Sequence, residues 1–380
     1  MSTLKVGGIR GISASSDAIT VNASDGTCTA NITNNLSNRN LIINGSQDID
    51  QRNSGTEVNP VVSGNCVTDR FKFDLSQASK IKAQQVADGP TGFTKSLKVT
   101  SLAATTPGAS DYYLLQQNIE GLNSAQLGWG ASGAKTVTLS FWVKSSLTGT
   151  FGVAIRNSAF NRTNVQTYAI SAADTWEKKS ISFTGDTSGT WLITNGVGLR
   201  VAWDLGGGTD FDAASTGSWL ATNDFTTSSC THLVATNAAT WQITGVQLEV
   251  SDHATDFEYR DFQSELSRCM RYYEKSYNYG VAPGTATNVG YLTNGGFTAA
   301  NSASHAARGL QKYIVPKRAV PTIVNYDLSG NSGKCNFPDT SDNVTMSVIH
   351  SGFNQASVET AAVSTTDLRL YWHFTADAEL

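Results

Sequence analysis

Charged residues are scarce in this sequence. Of its 380 residues only 15% are Asp, Glu, Lys or Arg, and 27 basic side chains against 31 acidic ones give a formal net charge of -4. Soluble proteins average about a quarter charged residues. A protein that binds nucleic acid needs clustered cations to neutralise phosphates, so this balance argues against a nucleic-acid partner.

Long hydrophobic runs are also missing. No stretch approaches the roughly 18 consecutive apolar residues of a membrane-spanning helix, so we expect no membrane insertion. Residues 1–10 lack the apolar segment of a secretory signal. We therefore expect the chain to fold in the cytoplasm of the cell that makes it.

Closely spaced metal-binding or redox pairs are absent from the sequence. The cysteines are far apart and odd in number: Cys28, Cys66, Cys230, Cys269 and Cys335. The histidines are equally scattered: His232, His253, His305, His350 and His373. Zinc sites and disulfide frameworks need close or paired ligands, so isolated reduced thiols are expected and a zinc hydrolase is not.

Small polar residues take the place of the missing charge. The chain has 34 Gly but only 7 Pro and 3 Met, and Ser, Thr and Asn are abundant. This composition disfavours long helices and favours short strands joined by tight turns. With 39% hydrophobic residues, the chain can bury the cores of about two or three domains. We predict a mostly β protein.

Residues 1–38 read as an extended polar N-terminal arm. Widely spaced aliphatic residues lie among Ser, Thr, Asn and Asp, with no aromatic residue. Such a segment cannot bury enough surface to order itself. We expect another protein chain to hold it through residues 1–35.

Residues 39–260 show the alternation of strands in a β-sandwich with one apolar inner face. Strands are predicted at Leu97–Thr100, Val137–Lys144, Lys179–Phe183, Gly198–Trp203 and Trp241–Val250. Between them lie runs rich in Gly, Asn and Ser, which favour turns. We predict one large, jelly-roll-like sandwich with long loops.

Helical spacing appears at residues 261–276. Phe262, Leu266, Cys269 and Tyr273 recur every three to four residues, which predicts a helix linking two domains. Residues 277–380 return to strand patterns and form a smaller C-terminal β domain. Its predicted strands are Tyr291–Leu292, Gln311–Val315, Thr322–Tyr326, Val344–Val348 and Leu368–Phe374.

Residues 40–273 resemble the carbohydrate-binding-module-like sandwich of many tailed-phage structural proteins. The motifs occur in the family's order: 40-NLIINGS-46, 51-QR-52, 67-VTDRF-71, 96-SLKV-99, 137-VTLSFWVK-144, 175-TWE-177, 243-ITGVQLE-249, 257-FEYR-260 and 265-ELSRC-269 with 271-RYY-273. The arm and the last hundred or so residues lie outside this likeness.

The resemblance implies a virion surface protein, of the tail-fibre or head-decoration type, that is generally homotrimeric. Our interpretation is a non-enzymatic, tail-fibre-like phage structural protein on the virion surface. Its arm would dock on another virion protein and its β domains would attach to host-surface glycans. Capsid decoration or a head fibre is the alternative, and a glycan-degrading enzyme is the third.

Candidate glycan contacts lie in a glycine-rich loop and on one strand. Trp203, Asp204, Asp210, Phe211, Asp212 and Trp219 combine aromatic rings with carboxylates, and loops of this kind carry binding sites on sandwiches. Trp142 lies opposite the apolar face of its strand, where it either stacks on a sugar or is covered by a loop or another chain. Asp204, Asp210 and Asp212 could hold a structural calcium ion, or the loop is solvated without metal.

No catalytic residues can be assigned. Glycosidases need two carboxylates about 5 to 10 Å apart. Nothing in the spacing singles out a pair among Asp69, Asp74, Glu120, Asp204 and Glu249. We therefore expect no enzyme activity and no cofactor beyond a possible calcium ion.

A tyrosine cluster follows the predicted helix. Tyr272, Tyr273 and Tyr277 either pack the helix between the domains or line an interface between three copies of the chain.

Overall fold

The computed structural model describes residues 7–10, 12, 19–24, 26–30, 38–294, 304–338 and 343–380. In the predicted arm, three short strands form an antiparallel meander: β1 (Gly8–Ile9), β2 (Ile19–Val21) and β3 (Cys28–Ala30). The described part of the arm is therefore a small sheet, where the sequence predicted an extended segment. The rest of the arm lies outside the described residues.

Two antiparallel sheets face each other between residues 66 and 250. Their strands are β4 (Cys66–Thr68), β5 (Phe71–Leu75), β6 (Ile81–Val86), β7 (Ser96–Ser101), β8 (Tyr112–Glu120), β9 (Val137–Ser145), β10 (Gly149–Asn157), β11 (Thr163–Ile170), β12 (Glu177–Phe183), β13 (Val197–Gly207), β14 (Trp219–Leu220) and β15 (Thr240–Val250). One sheet has the order β14-β11-β10-β13-β8-β5-β4, and the other has the order β12-β9-β15-β7-β6.

The core lies between these two sheets. Alternate residues of the strands point inward and form one continuous apolar cluster, including Phe71, Phe141, Trp203 and Trp241. Burial of one face of each sheet is the usual basis of a β-sandwich. The predicted jelly-roll-like sandwich in a mostly β protein is confirmed. We call the face of the seven-stranded sheet that points away from this core the outer face.

Strand β8 was missed by the sequence analysis. Its sequence, 112-YYLLQQNIE-120, does not alternate, and all its residues after Tyr112 are buried. The outer face carries its own small apolar cluster, which includes Leu114 and Phe225. A strand covered on both faces loses the period-two signal.

The linking helix is shorter than predicted. Helix α2 covers Phe262–Met270, and a separate short helix, α1, covers Gly121–Ser124. Asp261 caps α2 by accepting a hydrogen bond from the Ser264 amide at 3.0 Å. The predicted continuation to residue 276 is wrong, because Tyr273–Lys275 forms strand β16 and pairs with the C-terminal strand. None of the helices in the described residues is long and apolar enough to span a membrane.

The C-terminal region builds its own small core. Its strands are β17 (Leu292–Thr293), β18 (Ser304–His305), β19 (Arg308–Lys312), β20 (Thr322–Tyr326), β21 (Lys334–Cys335), β22 (Val344–Ser351), β23 (Gln355–Thr360), β24 (Val363–Ser364) and β25 (Tyr371–Asp377). Strand β25 pairs with β16, β17 and β20, while β19-β23-β22-β21 form a second sheet around Trp372 and Val358. The strands predicted at Gln311–Val315 and Leu368–Phe374 are each displaced by about three residues.

Buried contacts join the sandwich to the C-terminal region. Glu120, at the end of β8, accepts hydrogen bonds from Arg271 and Tyr272. Tyr272, Tyr273 and Tyr277 are only 0%, 6% and 4% exposed within one chain. Of the two alternatives, packing within the chain is the one that the structure shows: Tyr272 packs with Leu266 and Cys269 of α2, and Tyr277 stacks on His373 with ring centroids 4.0 Å apart.

Candidate functional site

The first two predicted contacts are buried. Trp203 has no exposed surface and packs in the sandwich core against Phe71 and Phe141, with ring centroids 6.2 and 5.9 Å away. Its predicted stacking on a sugar is wrong, because it is one of the alternate core residues of β13. Asp204 is also buried and accepts hydrogen bonds from Thr226 Oγ1 at 2.6 Å and the Gly206 amide at 2.8 Å. Burial raises the pKa of Asp204 to about 6.

The predicted calcium ligands do not converge. Asp210 accepts a hydrogen bond from Ser110 Oγ at 2.6 Å, while Asp204 is enclosed beneath the loop. Burial raises the pKa of Asp212. In the part of the chain that the structure describes, no group of three His, Cys, Asp or Glu side chains is placed to share a metal ion. Among the described residues the three aspartates therefore do not form the predicted calcium site.

Residues 208–227 fold over one half of the outer face. Phe211 packs against Phe225 at 4.8 Å and against Tyr112 at 6.0 Å between ring centroids. These rings cover Leu114 and Ala202 of the sheet. The predicted binding loop therefore covers this part of the sheet, and Phe211 belongs to the apolar contact between the loop and the sheet.

Trp219 and Trp142 lie elsewhere. Trp219 forms an edge-to-face trio with Trp129 and Trp191, with ring centroids 4.7 to 5.3 Å apart. Trp142 is half-buried on the outside of the five-stranded sheet, next to Gly245 and Phe93. The structure therefore does not bring the predicted glycan contacts together into one site.

The half of the outer face that residues 208–227 leave open holds a polar cleft, which the sequence did not predict. Its floor consists of cross-strand neighbours: Arg156 of β10 lies opposite Arg200 of β13, and Arg200 lies opposite Asn118 of β8. The cleft has a volume of about 320 Å³. We call it the arginine cleft. Its lining includes Lys72, Asp74, Gln116, Asn118, Phe160, Arg200 and Leu380, and the buried Arg156 lies beside Arg200 on the neighbouring strand.

Both guanidinium groups are held in place. Arg156 is 2% exposed and donates hydrogen bonds to Asn223 Oδ1 at 3.0 Å and Gln116 Oε1 at 3.3 Å. Arg200 is half-buried and donates to the Asn157 carbonyl oxygen at 2.8 Å. The Cζ of Arg200 lies 4.1 Å from the ring centroid of Phe160, a cation–π contact that orients the guanidinium plane.

The cleft is electropositive. Burial, followed by the charge of Arg200, lowers the pKa of Arg156 to about 10, and burial also lowers the pKa of Arg200. Among the described residues, no carboxylate forms an ion pair with either arginine, and Asp74 acts on them only from a distance. Both arginines remain protonated near neutral pH.

The other end of the cleft is closed by Leu380. Its carbonyl oxygen accepts hydrogen bonds from Asn118 Nδ2 at 2.8 Å and Lys72 Nζ at 3.2 Å. Asp74 accepts from Ser63 Oγ at 3.1 Å. The C-terminal region thus contributes one wall to a cleft whose floor is the sandwich.

The sequence does carry a signal for this cleft. Lys72 and Asp74 alternate with apolar residues in 71-FKFDL-75, and Arg200 stands between the apolar Leu199 and Val201. On a strand this alternation places them on the face opposite the core. Which strands lie side by side, and hence which of these side chains meet, depends on the sheet order.

Comparisons with known proteins identify no family. No protein-family model matches this chain, and no curated protein matches it. Among solved structures, the enzymatically active domain of bacteriophage CBA120 tailspike protein 4 is 10% identical at a TM-score of 0.31, over 56% of this chain and 21% of that one.

Two bacterial proteins show similar values. A putative sugar-binding protein from Bacteroides thetaiotaomicron is 12% identical at a TM-score of 0.30, over 56% of this chain and 100% of that one. The N-terminal cellulose-binding domain of Cellulomonas fimi β-1,4-glucanase C is 15% identical at 0.25, over 43% of this chain and 85% of that one. These scores are low, so the assignment of a sandwich rests on the sheet topology.

Proposed function

We propose that this chain is a non-enzymatic, tail-fibre-like structural protein of a phage virion, and that its arginine cleft binds a host-surface glycan. The observation that carries the glycan-binding part is the cleft itself. It combines planar hydrogen-bonding side chains on rigid neighbouring strands with one exposed aromatic ring. Small-ligand sites are typically concavities of about 300 to 1,000 Å³ with a few placed polar groups.

The chemistry of the cleft suits a sugar ring. Gln116, Asn118 and Arg200 offer amide and guanidinium groups, which can donate to or accept from neighbouring hydroxyls. Phe160 is 37% exposed and offers an apolar surface for C–H groups. Strand-borne side chains hold this arrangement without rearrangement.

The absence of catalysis is part of the proposal. Four of the five carboxylates considered from the sequence are buried and bonded inside the protein: Asp69, Glu120, Asp204 and Glu249. Asp74 is the remaining one and lies at the cleft. A glycosidase needs a pair of carboxylates flanking the bond that is cleaved, and this set offers only a single accessible group.

The virion role draws its support from the motifs of residues 40–273. We propose a homotrimer on the virion surface, docked through residues 1–35 on another virion protein and made in the host cytoplasm. Light scattering of the purified chain tests the trimer. Cryo-electron microscopy of the virion tests the location: density on the head would replace the fibre role with capsid decoration.

Glycan binding is tested on a glycan array and then by calorimetry with the best ligand. Phe160→Ala should weaken binding at least about tenfold, since an aromatic contact is worth roughly 1 kcal/mol or more. The matched control is Phe353→Ala, because Phe353 is also exposed but lies in the C-terminal region. Absence of any bound glycan would refute glycan binding. Weakening by Phe353→Ala alone would refute the location in the cleft.

A further inference from the structure

The two arginines of the cleft have no carboxylate within ion-pair distance among the described residues, and Asp74 acts on them only from a distance. Lys72 and Arg200 line the cleft and Arg156 lies beside Arg200; Asp74 contributes a side-chain carboxylate, and Lys72 Nζ already donates to the Leu380 oxygen at 3.2 Å. Arg156 and Arg200 are direct cross-strand partners, so like charges lie side by side. Such a pair raises the free energy of the folded protein unless an anion offsets it.

Two other arginines of this chain are each paired with a buried carboxylate. Arg162 donates two hydrogen bonds to Asp186, at 2.8 and 2.6 Å. Arg271 does the same with Glu120, at 2.9 and 2.6 Å. Forked contacts of this kind are the preferred way to satisfy a guanidinium. Within the described residues, Arg156 and Arg200 have no such forked contact; Arg318, which also lacks one, instead donates to three backbone carbonyl oxygens.

Donors remain available in the arginine cleft. Arg200 uses one of its five N–H groups in the hydrogen bond to Asn157. The Nε of Arg156 is buried and has no hydrogen-bond partner within the described structure. Stacking on Phe160 holds Arg200 with its edge free to meet a planar anion.

We propose that the arginine cleft selects a glycan that carries a carboxylate, such as a hexuronic or sialic acid, and binds that carboxylate through Arg200 and Lys72. This rests on the proposed glycan binding and names its ligand class. Arg156 is a positioning residue: it fixes Gln116 and adds positive charge beneath the site. The ring of Phe160 lies beside the carboxylate position, where it can contact the sugar.

The choice of a sugar acid over a polyanion follows from the surroundings. The whole chain carries a formal net charge of -4, which disfavours an extended phosphate backbone. The basic groups are confined to one cleft with an aromatic ring at its rim. A single carboxylate on an apolar ring matches that combination.

The test uses oligosaccharides of galacturonic, glucuronic or sialic acid, each paired with its carboxyl-reduced counterpart, and inorganic phosphate as a free anion. Calorimetry on the full chain should show at least one acid bound about tenfold or more tighter than its reduced counterpart. Raising NaCl from about 50 to 500 mM should weaken binding of the acid and leave the reduced sugar unaffected. Phosphate alone should bind more weakly than the acid, because it lacks the contact with Phe160.

Variants locate the effect. Arg200→Gln should remove the preference for the acid, and Arg200→Lys should restore part of it because it keeps the charge but not the fork. Lys72→Gln gives an independent test on a half-buried side chain, and Arg308→Gln is the control on an exposed arginine. Folding of each variant is checked by its thermal transition and circular dichroism.

The outcomes separate two failures. If the acids and their reduced counterparts bind equally and Arg200→Gln changes neither, this inference is wrong while glycan binding stands. Phosphate binding as tight as the acids would also overturn it, because the site would then recognise a free anion. If no sugar of either kind binds, both proposals fail.

Discussion

Replacing Glu120 by Gln tests the contact between the sandwich and the C-terminal region. The carboxylate of Glu120 is buried at the end of β8 and accepts hydrogen bonds from Arg271 Nε at 2.9 Å, Arg271 Nη2 at 2.6 Å and Tyr272 Oη at 2.8 Å. The variant keeps the size of the side chain and removes its charge. It weakens the hydrogen bonds from Arg271, while the amide oxygen of the new Gln can still accept the hydrogen bond from Tyr272.

The size of the effect follows from these contacts. Hydrogen bonds to charged groups contribute about 1.5 to 3 kcal/mol each. Two are weakened here, but the side chain of Arg271 is 33% exposed and can regain water, which reduces the loss. We expect the free energy of unfolding to fall by about 2 kcal/mol. For a domain of this size that lowers the Tm by roughly 5 °C.

Urea and thermal unfolding of the wild type, Glu120→Gln, Arg271→Gln and the double variant measure the coupling directly. A coupling free energy of about 1 kcal/mol or more is expected. Glu359→Gln is the control, because its partner Arg308 is 73% exposed and an ion pair of this kind contributes little. A coupling below about 0.3 kcal/mol would refute the assigned role of Glu120.

The same carboxylate predicts a pH dependence. Burial would raise the pKa of Glu120, but hydrogen bonds from Arg271 and Tyr272 outweigh it and hold the pKa below its usual value of 4.5. A lowered folded-state pKa stabilises the protein above the unfolded-state value, and this stability is lost as pH falls through the folded-state pKa. The Tm difference between wild type and Glu120→Gln should therefore shrink below about pH 4.5.

Two further variants test the buried carboxylate and a glycine. Burial raises the pKa of Asp204 to about 6, so proton binding stabilises the folded wild type below that pH and this contribution disappears as pH rises through it. The Tm of the wild type relative to Asp204→Asn should fall between about pH 4 and 6, and a constant difference over that range would contradict this. Gly245→Ala should destabilise the protein by about 1 to 3 kcal/mol more than Gly128→Ala in urea. Both glycines have φ near +60°, so the backbone strain of the two variants is matched. A Cβ on Gly245 would lie 2.7 Å from Phe93 and 3.0 Å from Trp142, whereas a Cβ on Gly128 would meet open space. An equal loss of unfolding free energy in the two variants would show that the packing around Gly245 is loose.

Strands whose sequence alternates apolar and polar residues could be predicted. Strands β9 and β15 alternate apolar and polar residues over much of their length and were located close to their true ends. Strand β8 was not found, because residues 208–227 and the C-terminal region cover its other face. A pattern read along one segment contains no information about what covers it.

The helix shows the same limit. The spacing of Phe262, Leu266 and Cys269 predicted α2 correctly at its start. Tyr273 continued the spacing but belongs to β16, because its backbone pairs with β25 about a hundred residues later. Pairing with a distant strand outweighs the local propensity.

The predicted glycan contacts of Trp203 and Asp204 were wrong for a related reason. A strand residue points to the core or away from it, and Trp203 pointed to the core. Asp204 pointed away, but the loop that should have presented it to solvent covers it. Proximity in sequence did not produce proximity in an accessible site.

Composition and period-two alternation act locally on the chain, so they were enough to predict the mostly β class, the sandwich and the linking helix. The arginine cleft, in contrast, depends on how the strands assemble. Arg156 and Arg200 become neighbours through the order of β10 and β13 in the sheet, and Leu380 reaches the same place through the packing of the C-terminal region. The absence of a carboxylate partner for these arginines among the described residues depends on the assembled sheet. It cannot be predicted from the sequence of any single strand.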